Sequence, residues 1–102
     1  MNPSLGFVEL PNLCDAISVL DIMLKTASVK FETWEKKLGG RLVTIIVSGS
    51  VASVTAAVDA AKASADVKAA LVIAAPHQET MKMVRMSAEK GGFYGKSAGN
   101  NK

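Results

Sequence analysis

The spacing of apolar residues changes sharply in the first third of the chain, and this change limits the available folds. Over residues 13–27 apolar side chains recur every three to four positions, which is typical of one face of an α-helix. Over residues 29–34 the period becomes two, which is typical of a strand with one solvated face. In this strand Val29, Phe31 and Thr33 are expected on one face.

The same reading continued along the chain predicts four strands and two long helices. Asn12 is expected to cap the first helix with Asp15 as its reciprocal partner, and Ser50 or Gly49 to cap the second. The predicted elements are a strand over 5–10, a helix over 13–27, strands over 28–37 and 41–49, a helix over 51–66 and a strand over 68–74. A short closing helix follows His77.

This β-α-β-β-α-β order is the split, ferredoxin-like plan of α+β proteins. It predicts one antiparallel four-stranded sheet with both long helices on one face, and it leaves the other face exposed. Residues 1–79 are expected to form the domain. Residues 80–102 are expected to form a short helix and a flexible basic tail, since they carry five basic residues against one acidic residue.

Neither a membrane span nor a signal peptide is expected. Every apolar run is interrupted well short of about 18 residues. The N-terminal residues also lack the basic stretch and cleavage site of a secretion signal. Membrane partners are therefore not expected.

Titratable residues are too scattered to predict catalysis. His77 and Cys14 are single residues of their kinds, and the acidic residues are spread along the chain, whereas an active site needs converging groups. We expect His77 to serve in a turn or cap, and Cys14 to be a buried or half-buried small side chain at the start of the first helix. The chain is thus predicted not to be an enzyme, with no metal and no cofactor.

Basic residues beside Gly39 and Gly40 admit more than one function. A strand follows the two glycines, so they are expected to join neighbouring strands rather than to hold a phosphate at a helix N-terminus. A nucleic-acid-binding domain using Lys36, Lys37, Arg41 and the basic tail is the alternative. It is disfavoured because the strand over 41–49 carries no aromatic ring for base stacking. A metabolite-binding regulatory domain is a third possibility.

Four segments in order resemble one known family. They are LGFVEL (5–10), DIMLKTASV (21–29), KLGGRLVTIIVSGSVASV (37–54) and VIAAPH (72–77). Together they are similar to the single-domain, hexamer-forming shell proteins of bacterial microcompartments.

The resemblance implies a structural protein that forms a flat cyclic homohexamer with a central pore for small polar metabolites. It implies that Lys37, Gly39, Gly40 and Arg41 line the pore, and that Lys25 contacts other shell proteins edge to edge. The implied location is the microcompartment shell in the bacterial cytoplasm. The basic tail is expected to be disordered, and contact with an encapsulated enzyme or with an anion near the pore is the alternative.

The chain departs from the family pattern in three places. Arg41 stands near a usual glycine, so six copies would form a cationic ring if the side chain points into the pore, and would leave the pore neutral if it points to the flat face. The segment 29–39 is one residue longer than the pattern. Ala75 occupies the place of an arginine that helps hexamers meet, so edge-to-edge tiling would need a contact supplied by other shell proteins.

Overall fold

The computed structural model describes residues 3–36 and 41–89. Their elements are β1 (Ser4–Leu10), α1 (Leu13–Thr26), β2 (Lys30–Lys36), β3 (Val43–Gly49), α2 (Val51–Ser64), β4 (Ala69–Ile73) and α3 (Gln78–Glu89). The strands form one sheet in the order β2-β3-β1-β4, and every neighbouring pair is antiparallel. The predicted α+β fold is confirmed.

Side-chain caps start the three helices. Asn12 Oδ1 accepts the N–H of Asp15 at 2.9 Å, and Ser50 Oγ accepts the N–H of Ser53 at 3.1 Å. His77 Nδ1 accepts the N–H of Glu79 at 3.0 Å at the start of α3. The predicted caps of α1 and α2 are confirmed, except that the Asp15 carboxylate receives the side-chain amide of Asn12 rather than its backbone N–H.

The main core lies between the sheet and the helices α1 and α2. In this core α2 packs directly against the backbone of Gly6 in β1. A Cβ atom on Gly6 would lie 2.7 Å from Val54 Cγ1 and 3.1 Å from Val58 Cγ2. The fully buried side chains around this contact are Val8, Leu10, Val19, Met23, Val43, Ile45 and Val47.

The first helices bury less of their apolar surface than their spacing suggests. Ile17 of α1 is 61% exposed and Val51 of α2 is 50% exposed, and Leu13 and Leu24 are also exposed. Cys14 is exposed, so the expectation of a buried or half-buried thiol was wrong. Like Ile17, Cys14 lies on the part of the α1 surface that is exposed in the monomer.

A β-bulge breaks the predicted alternation of β2. The pairing with β3 shifts between Phe31 and Thr33, so that Thr33 faces Ile46 and Trp34 faces Ile45. The expected grouping of Phe31 with Thr33 was therefore wrong. Phe31 and Trp34 lie on the α1 face, while Thr33 lies on the opposite face.

Helix α3 covers part of the sheet face that was expected to be exposed. Met81 and Val84 form a second buried cluster with Leu5 and Ile46. A polar contact lies beside this cluster: Ser87 Oγ donates a hydrogen bond to the carboxylate of Glu35, and Thr33 Oγ1 lies 3.2 Å from Ser87 Oγ. Within the described residues the fold therefore has three layers: α1 and α2, the sheet, and α3.

No helix among residues 3–36 and 41–89 is both long enough and apolar enough to cross a membrane.

We expect Gly6→Ala to lower the free energy of unfolding by about 1–3 kcal/mol, because the new methyl group overpacks against Val54. Urea denaturation at fixed protein concentration measures the change. In the Val54→Ala background the same substitution should cost clearly less, since the closest clashing atom is gone. Equal costs in both backgrounds would contradict this account of Gly6.

Candidate functional site

The predicted pore loop connects β2 and β3, which end and begin beside each other. Lys36 pairs with Val43 across the two strands, so the connection is a hairpin between neighbouring antiparallel strands, as predicted. Arg41 is exposed and forms no ion pair with any described residue. Lys37, Gly39 and Gly40 lie outside the described residues, so their place at a pore stays a prediction.

Lys25 lies in the last turn of α1, at the other end of the subunit. Leu10 pairs with Val43, so the start of α1 is at the hairpin end. Twelve residues of helix at ~1.5 Å each then carry Lys25 about 18 Å away from it. The structure therefore separates Lys25 from Arg41 and does not bring them into one site.

An ion pair with Asp21 holds the exposed Lys25 side chain. The Nζ–Oδ2 distance is 2.8 Å, and both side chains are largely solvent-exposed. The hydrogen bond to Asp21, followed by its charge, raises the pKa of Lys25. Lys25 is thus a fixed positive charge on the surface of α1 at neutral pH.

Ala75 lies at the same end of the subunit as Lys25. It follows β4, whose last residue Ile73 pairs with Leu5 at the start of β1. Its φ of 51° is in the left-handed region, which costs a residue with a Cβ atom about 1–2 kcal/mol. The short methyl side chain leaves this end of β4 without a charged group at position 75.

Two apolar surfaces at opposite sheet edges were missed by the sequence reasoning. At the β2 edge, a groove of about 260 Å³ runs between α1 and the strand. It is lined by Leu13, Ala16, Ile17, Leu20, Phe31, Trp34, Val43 and Ile45. We call this groove the β2 flank.

At the other edge, Leu71 of β4 is 54% exposed. It borders a hollow on the sheet face opposite α1 and α2, which is also lined by Phe7, Glu9, Thr44, Ala69 and Ala70. We call this surface the β4 flank. For the β2 flank, the signal in the sequence was the width of the apolar stripe on α1, which exceeds what the core uses.

The described residues contain no group of three or more His, Cys, Asp or Glu side chains able to hold a metal ion. His77 has a structural partner, because its Nδ1 atom caps α3.

We expect Asp21→Asn to lower the pKa of Lys25 towards its ordinary value, because the substitution removes the negative charge and replaces a carboxylate acceptor with the weaker amide oxygen. An NMR titration of the Lys25 side chain measures this. Since the pair raises this pKa, its contribution is present at neutral pH and disappears as alkaline pH deprotonates Lys25. Asp59→Asn on α2 serves as the control, and an equal shift in both variants would contradict a specific pair.

Comparison with known proteins identifies relatives over most of the chain. The BMC domain family model matches residues 4–76. The shell protein PduA of Salmonella typhimurium is 44% identical over 85 residues, covering 79% of this chain and 89% of that protein. The carboxysome shell protein CsoS1A of Hydrogenovibrio crunogenus is 38% identical, covering 81% of this chain and 91% of the relative.

A solved structure has the same fold. It is a microcompartments protein from Desulfitobacterium hafniense, which matches with a TM-score of 0.73 at 24% identity over 84% of this chain. This chain spans about half the length of that protein, 48%. The nucleic-acid alternative gains no support from these relatives. The matched domain, the shell-protein relatives and the shared fold agree with the four motifs, and the chain belongs to the BMC domain family of bacterial microcompartment shell proteins.

Proposed function

We propose that the chain is a structural subunit of a bacterial microcompartment shell, that it forms a cyclic homohexamer, and that Lys37, Gly39, Gly40 and Arg41 line a central pore. The observation that carries the proposal is the pair of exposed apolar surfaces, one between α1 and β2 and one on the sheet face beside β4, in a chain of this family. Relatives named as shell proteins support a structural rather than a catalytic role.

The two flanks differ, and this difference favours a ring. The β2 flank is a groove bordered by Ile17 and Phe31, whereas the β4 flank exposes Leu71 beside a shallow hollow. A contact between two different surfaces repeats from subunit to subunit and closes into a ring when the rotation fits. Burial of both apolar flanks would provide the driving force.

The two ends of the subunit carry different groups, which fits one end at the six-fold axis of a hexamer and the other at its outer edge. The hairpin that holds Arg41 lies at one end, where Lys36 pairs with Val43. Lys25 and Ala75 lie at the other. With the hairpin at the six-fold axis, Lys25 would face neighbouring hexamers in a shell within the bacterial cytoplasm.

Other shell proteins are the proposed partners at the rim. Because Ala75 carries no charged group, they would supply the missing edge contact to Lys25. The division into a shell domain over 1–79 and a basic segment over 80–102 stays a prediction, as does contact of that segment with an encapsulated enzyme.

Native mass spectrometry of the untagged full chain tests the ring. We expect a dominant hexamer. Ile17→Lys should shift the chain to smaller species at micromolar concentration, because an ammonium group would be buried in an apolar contact without a partner. Met83→Lys is the matched control, since Met83 is 72% exposed on α3 and lies outside both flanks. A wild-type monomer at high micromolar concentration would refute the hexamer.

Arg41→Ala tests the charge of the pore. We expect the hexamer to persist while its affinity for sulfate, measured by isothermal titration calorimetry, falls at least threefold, because six guanidinium groups would be lost from one ring. Arg41→Lys should retain most of the binding. Loss of the hexamer on Arg41→Ala would instead assign Arg41 a structural role.

A further inference from the structure

A polar cleft lies between α3 and the sheet, at the end of β2 that is remote from the hairpin. It has a volume of about 540 Å³. Its walls come from the sheet, at the start of β2 and the end of β3, and from α3. The residues that carry the argument are Lys30, Glu32, Ser48, Met81 and Arg85.

Glu32 is the acidic group of this cleft, and it follows Lys30 on the α3 side of β2 by the alternation of the strand. In a regular strand Glu32 and Thr33 would point to opposite faces, but the register shift between Phe31 and Thr33 lets both reach the α3 side. Ser48 Oγ donates a hydrogen bond to Glu32 Oε2 at 2.5 Å. Because Ser48 is only 4% exposed, the buried hydroxyl orients the carboxylate and leaves its second oxygen available to a ligand.

Two cations border the cleft from different layers. Lys30 belongs to β2 and Arg85 to α3, and neither forms an ion pair with a residue in 3–36 or 41–89. With Glu32 ionised, the three charged groups leave one net positive charge. An ammonium and a planar guanidinium together are well suited to an anionic phosphate or carboxylate.

We propose that this cleft binds a small hydroxylated organic anion. Lys30 and Arg85 hold the anionic group, and a hydroxyl of the ligand donates to the free oxygen of Glu32. The 3% exposed Met81 provides an apolar wall for the carbon skeleton. The inference goes beyond the shell function, since it assigns a ligand site outside the pore.

The ligand would also hold α3 against the sheet. Arg85 and Met81 lie on α3, whereas Lys30, Glu32 and Ser48 lie on β2 and β3. A molecule that contacts both sets binds only when α3 is docked, so it stabilises the docked state by mass action.

The cleft and the proposed pore are separate sites. Lys30 and Lys36 are the two ends of β2, and six steps of about 3.3 Å place them about 20 Å apart. Arg41 lies beyond the Lys36 end, so its substitution leaves the cleft intact.

Titration of the full chain with glycerol 3-phosphate, followed by amide chemical shifts, tests the proposal. We expect saturable shifts in residues 28–32, 48–49 and 81–85, and slower hydrogen exchange in α3. The double variant Lys30→Ala, Arg85→Ala should lower the affinity at least tenfold. Lys82→Ala, which removes an exposed cation of α3 that does not line the cleft, should bind as the wild type does.

Glu32→Gln separates recognition of the hydroxyl from general charge attraction. It should reduce the preference for glycerol 3-phosphate over inorganic phosphate, because the amide is a weaker acceptor than the carboxylate. Absence of shifts in the cleft up to about 10 mM ligand would overturn the proposal. Binding lost in Arg41→Ala but kept in the double variant would also overturn it, since the anion would then bind near the hairpin. Native mass spectrometry of the same samples tests the hexamer independently.

Discussion

The rest of the fold depends on the contact between α2 and the bare backbone of Gly6. β1 is one of the two inner strands and pairs with both β3 and β4, so the helix that packs on it contacts the middle of the sheet. Because Gly6 has no side chain, Val54 and Val58 fill the space above the strand. The other core side chains pack around them. The edge strands β2 and β4 lie on either side, and exposed apolar surfaces lie beside each of them.

Most of the fold could be predicted from interactions between residues close together in the sequence. The spacing of apolar residues identified α1, α2 and the four strands, and the caps at Asn12 and Ser50 act on N–H groups three residues away. The bulge could not be predicted in this way. It places Glu32 and Thr33 on one face for partners distant in the chain, since Ser48 and Ser87 lie 16 and 54 residues away from them.

Periodicity also does not distinguish a core from an interface. Ile17 has the same apolar character and helical spacing as the buried residues of α1, yet it is 61% exposed. The domain interior is already filled by Val19 and Met23, and only the packed structure shows this. The roles of Lys25 and Arg41 could be proposed only from motifs that resemble a known family, because the two residues do not converge on a shared contact that spacing could reveal, and these roles stay predictions.

The bulge in β2 has a consequence for how such a strand can vary over evolution. One additional residue in a strand normally turns every later side chain to the opposite face. Here the bulge absorbs that residue between Phe31 and Thr33, so Trp34 still faces the α1 side and Lys36 still meets Val43. A lineage can therefore gain or lose a residue at this point without disturbing the hairpin. Such a change alters which side chains lie on the face beneath α3, while the rest of the frame stays the same.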